Sequence, residues 1–172
     1  DDITLTYSRL LSYSEAKDEI VGMDGIEDLE LTRASASTFY VDDGTRVTRS
    51  LTVLAPDTTH FDFRFAKNEV AMSTKAARLA GAKEGDVLNF DFDGKTYTAP
   101  VGLVYEAFYF HGIMIHADST FLDGADIKYN GALVDCKEGY TESLDKKLET
   151  LDFVSESQTQ QEWEDYIGSA MS

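Results

Sequence analysis

Two alternating runs, Val87-Leu88-Asn89-Phe90-Asp91-Phe92 and Lys95-Thr96-Tyr97-Thr98-Ala99, flank Asp93-Gly94, and this pattern constrains the fold more than any other stretch of the chain. A period of two sends successive side chains to opposite faces of a sheet, and Asp-Gly tolerates positive φ at both central positions of a type I′ turn. The spacing therefore predicts a tight β-hairpin. Phe90 and Phe92 turn to a core, while Asn89, Asp91 and Asp93 share a solvated face. The same residues match the opening positions of a calcium-binding EF-hand loop, but Pro100 stands where the bidentate Glu is needed and the flanks read as strands, so the hairpin reading is favoured.

The rest of the chain reads as strands with a few short helices. Residues 3–7 alternate as a strand, and Ser12-Tyr13-Ser14-Glu15 is a capping box for a helix reaching about Val21, stopped by Gly22. Residues 26–32 and 37–41 are strand-like, and Asp42-Asp43-Gly44 turns the chain back through residues 45–54. Ser73 is placed to cap a two-turn helix over residues 74–80, ended by Gly81 in the left-handed conformation. Further strands are expected at 101–105, 109–116 and 127–135. A helix from Thr141 carries Leu144, Leu148 and Leu151 on one face, and a last helix over about 160–171 presents Trp163, Tyr166, Ile167 and Ala170 at helical spacing.

Composition narrows the class of function. The 172 residues carry 15 Lys and Arg against 32 Asp and Glu, a net charge of −17, and the scattered cations cannot displace the counterions of a polyanion, so nucleic acid is not an expected partner. No run approaches the roughly 18 apolar residues of a membrane span. The hydrophobic content of 42% is enough for a real core. Cys136 is alone, so no internal disulfide can form, and after Ala132-Leu133-Val134 it reads as a small core residue. No signal peptide opens the sequence at Asp1-Asp2, so export would depend on sequence not present here.

His60, His111 and His116 lack the convergent spacing of a zinc site, no Gly-x-Ser-x-Gly elbow is present, and the glycines at 81 and 85 carry acids where a phosphate would sit. No cofactor, metal site or catalytic residue is expected. The aromatic residues Tyr105, Phe108, Tyr109 and Phe110 hold more apolar surface than one strand face can bury. Core packing is the simpler reading, and a partner-binding surface is the functional one.

The segment from Asn68-Glu69-Val70-Ala71-Met72-Ser73 through Gly81-Ala82-Lys83-Glu84-Gly85-Asp86-Val87 to Phe90 resembles the extracytoplasmic domain of FtsX-like, or MacB-like, ABC transporter permeases. Pro100-Val101-Gly102-Leu103-Val104, Asn130-Gly131-Ala132-Leu133-Val134 and residues 144–155 resemble later pieces of the same pattern. The likeness is good over residues 68–155 and covers 1–55 only by order of elements. It implies an α+β, two-lobed fold: a membrane-proximal α/β lobe from residues 1–55 and 132–172, and a β-rich outer lobe from 56–131 with hairpins and one short helix.

That resemblance also implies a function without chemistry. A cytoplasmic ATPase subunit would hydrolyse ATP, and this domain, set between two membrane helices on the extracytoplasmic side, would relay the motion outward with a second permease copy or half. The acidity suits a cationic peptide or a cell-wall protein as a further partner. The competing classes are a stand-alone secreted acidic hydrolase and an extracellular binding module.

Overall fold

Asp93 and Gly94 both adopt positive φ, 48° and 79°, in the computed structural model, which describes residues 2–56, 64–107 and 111–171. The turn joins β5 (Val87–Phe92) to β6 (Lys95–Tyr105), and the antiparallel register runs from Val87 opposite Pro100 to Phe92 opposite Lys95. Phe90 and Phe92 are buried and Asp91 and Asp93 exposed, as the alternation requires. β6 does not stop at Pro100. Its first half pairs with β5, and from Val101 it pairs in parallel with β4 (Val70–Ser73), so two expected strands are one. Pro100 is exposed and opposite the first residue of β5, where one missing N–H is tolerated.

Nine strands and four α-helices are present among the described residues, an α+β composition. They fall into two compact units. The first comprises Asp1–Thr32 and Ile127–Ser172, and the second Arg33–Asp126. The division expected after residue 55 thus falls at 32/33. Its physical cause is strand pairing: the end of β2 (Ile26–Val41) is laddered to β5, and β3 (Val47–Leu54) to β7 (Gly112–His116), so residues 33–55 belong with the centre of the chain.

In the first unit the order is β2-β8-β1-β9, all antiparallel, with β1 spanning Ile3–Leu11, β8 Tyr129–Cys136 and β9 Val154–Thr159. Ile3, Leu5 and Tyr7 of β1 are buried while Thr4, Thr6 and Ser8 are exposed. Helix α1 (Tyr13–Val21) buries Ala16 and Ile20, one turn apart, and its capping box is complete: Glu15 N donates to Ser12 Oγ (3.2 Å) and Ser12 N to Glu15 Oε1 (3.1 Å). The Tyr7 hydroxyl donates to Ala16 O (3.2 Å), tying β1 to α1. Helix α3 (Thr141–Glu149) buries Leu144 and Leu148, and its buried Asp145 accepts from Ser157 Oγ of β9 at 2.5 Å.

In the second unit the pairings β2-β5-β6-β4-β7-β3 return to β2, a closed circuit of six strands. Each of the six strands thus has two strand partners within the circuit. β4 and β7 are buried along almost their whole length, on both faces. Ser73 Oγ accepts from Ala76 N (3.1 Å) to cap α2 (Thr74–Ala80), and Gly81 ends it at φ 66°. The approach of β3 to β7 requires glycine at 112, because a Cβ there would overlap Ser50 O.

Candidate functional site

Tyr105, at the end of β6, is 5% exposed and packs with Leu54, Ala71 and Met114, against which Phe65, Leu103 and Ala107 lie partly buried. Thr74 Oγ1 donates to its carbonyl (3.2 Å), and burial raises the phenol pKa well above its ordinary value. Its ring is committed to packing, so Tyr105 offers no contact surface here. Phe108, Tyr109 and Phe110 lie outside the described residues, as does His60.

The segment leading into β4 is fastened to the end of β7 by polar contacts. The His116 ring stacks on Phe65 (centroids 4.2 Å), with Nε2 3.1 Å from Phe65 O. Ser119 Oγ donates to Lys67 O, and Thr120 N to Asn68 Oδ1 (2.7 Å). Glu69 accepts from Ala66 N (2.9 Å) and lies where a Cβ on residue 102 would be, so Gly102 makes room for it. His116 is thus engaged with main chain, and His111 is exposed.

The polar face of the β5–β6 hairpin is engaged too. Asn89 Nδ2 donates to Tyr40 O (3.3 Å), Asp91 Oδ1 accepts from Thr38 N (2.8 Å), and Asp93 Oδ1 accepts from Arg33 (2.5 Å). The three residues that mimic a calcium loop serve as side-chain ties to β2. Among the described residues no three His, Cys, Asp or Glu side chains gather into a metal site. Cys136 is buried, and burial raises its thiol pKa, opposite to the shift of a reactive cysteine. On the last helix, α4 (Gln160–Met171), Trp163 and Tyr166 stack at 5.9 Å.

The first and last strands lie side by side in the first unit. Ile3 is paired with Thr159, and Gln160 N donates to Asp2 O at 2.9 Å. Sequence spacing carries no signal for a contact between residues so far apart; only the β1–β9 register creates it.

A chain folded in this way is similar to a solved structure. The periplasmic region of MacB from Actinobacillus actinomycetemcomitans matches 98% of this chain and 91% of its own, with a TM-score of 0.58 and 13% identity. The chain has the MacB periplasmic fold. The extracellular domain of the noncanonic ABC-type transporter YknZ from Gram-positive bacteria matches 91% of the chain and 99% of its own, at TM-score 0.53 and 13% identity. A domain assigned to a permease of Porphyromonas gingivalis matches 86% of this chain and 81% of its own, at TM-score 0.53 and 18% identity. No protein-family model matches the sequence, and no curated protein does. The resemblance read from residues 68–155 therefore holds for the MacB fold, which extends over residues 1–55 as well. No helix among the described residues is long and apolar enough to cross a membrane.

Proposed function

We propose that this chain is a non-catalytic extracytoplasmic domain of an ABC transporter permease, which relays ATP-driven motion of membrane helices to an exported substrate or an extracellular partner. The observation that carries this reading is the likeness to the MacB periplasmic region along nearly the whole chain. The paired first and last strands supply the physics. A domain driven from a membrane must receive displacement at its two ends together, and the Gln160–Asp2 bond makes the first and last strands move as a pair. The unit holding both ends is then the membrane-proximal lobe, and the Arg33–Asp126 unit the part presented to partners.

The partners in this reading are a cytoplasmic ATPase subunit, acting through the membrane helices, and another permease copy or half. Phe108, Tyr109 and Phe110 are the proposed contact residues for an extracellular partner. The net charge of −17 favours a cationic peptide or a basic cell-wall protein in that place.

The parent gene tests the proposal directly. Hydrophobic spans on both sides of the 172 residues and a neighbouring ATPase gene are expected. A parent gene without such spans overturns the permease reading, and turnover of any hydrolase substrate by the purified chain overturns its non-catalytic part.

A further inference from the structure

Strand β2 changes neighbours along its length. Its residues 26–32 pair with β8 and its residues 39–41 with β5. On the side facing the β5–β6 hairpin, the interval between them is held by side chains. Ser37 Oγ donates to Asp91 O (2.7 Å), Thr38 N donates to Asp91 Oδ1 (2.8 Å), and the Arg33 guanidinium donates to Asp93 Oδ1 (2.5 Å). Arg33 also lies over the Phe92 ring, 5.1 Å from its centroid. Its side chain is 7% exposed, against 50% for Asp93. A buried guanidinium is tolerated only where charge and hydrogen bonds compensate it, so Asp93 is the water-facing half of a pair whose other half is committed to the interior.

We propose that the Arg33–Asp93 contact is a latch. It holds the hairpin tip against β2 and keeps residues 33–38 extended beside it. The latch rests on the relay reading only for its purpose, which is to keep the second unit stiff under displacement. The contact itself is a local property of the second unit.

Asp93→Asn isolates the charge, because Asn-Gly suits the same type I′ turn and keeps a residue that tolerates φ near +48°. The orientation of Thr38 N toward Asp91 places the amides of Ala34, Ala36 and Thr38 on the hairpin side of the strand. In the 172-residue chain at neutral pH, hydrogen exchange of these three amides should accelerate about tenfold in Asp93→Asn, with α2 unchanged. Asp91→Asn keeps the Oδ1 acceptor for Thr38 and should leave the same amides within about twofold of wild type. Unchanged exchange in Asp93→Asn, or equal acceleration in both variants, overturns the latch. The two readings fail separately: a parent gene without membrane spans removes the relay and leaves the exchange result standing, whereas unaltered exchange removes the latch and leaves the relay.

Discussion

Gln160 donates its main-chain N–H to the carbonyl of Asp2 across 2.9 Å, joining the start of the last helix to the residue before the first strand. The bond continues the β1–β9 ladder one step past Ile3 and Thr159. It also engages one of the N–H groups that the first turn of a helix leaves without an intrahelical acceptor.

The Gln160 amide should exchange at least about tenfold more slowly than its unstructured-peptide rate, as an amide within a ladder does. An NMR exchange series reads it. Exchange at the free-peptide rate would mean that the two ends separate in solution.

Gly94→Val should destabilise the chain by roughly 1–2 kcal/mol, since a β-branched residue at φ near +79° is forced into a conformation it avoids. The midpoint of urea unfolding measures the loss. Nothing lies within 4 Å of the position a Cβ would take, so the whole cost is backbone strain.

Gly112→Ala should cost roughly 2–3 kcal/mol for a different reason, overpacking. Its Cβ would meet Ser50 O of β3, and the parallel β3–β7 pair must part to admit it. Gly22→Ala is the contrast. Residue 22 sits at φ −78° with open space around it, and alanine there should stabilise by about 0.5 kcal/mol by restricting the unfolded chain. Thermal melts of the two variants should move in opposite directions.

The capping box predicts a pH effect at one residue. The hydrogen bonds from Ser12 lower the Glu15 pKa in the folded chain. A depressed carboxyl pKa stabilises the fold above the unfolded value and loses that contribution as pH falls through the folded one. An NMR titration of the Glu15 carboxyl should give a lower midpoint in wild type than in Ser12→Ala, while equal midpoints would show that the cap is open in solution.

Features set within three or four residues of chain were legible in advance. Ser12 with Glu15, Ser73 before α2, Gly81 after it and Asp93-Gly94 all sit where local spacing puts them, because a cap or a two-residue turn is satisfied by its immediate neighbours. The burial of Phe90 and Phe92 followed from period two alone. By contrast, β2 reads as two strands and is one, since residues 33–37 lack a clear alternation and are held extended by Arg33–Asp93 and Ser37–Asp91. Among the aromatic residues weighed as a binding surface, Tyr105 went to the core, and no local pattern distinguishes a buried tyrosine from a presented one.

Order along the chain thus determined where the four α-helices start and where the tight β5–β6 turn lies, but not the extent of β2 and β6 or the presence of β9. Only the tertiary structure decided which strands are neighbours. It put residues 33–55 with the central unit, closed six strands on themselves, and brought Asp2 to Gln160. The reason is range: caps and turns are settled by contacts a few residues apart, whereas strand partners are chosen by long-range burial and register, which a linear pattern encodes only collectively.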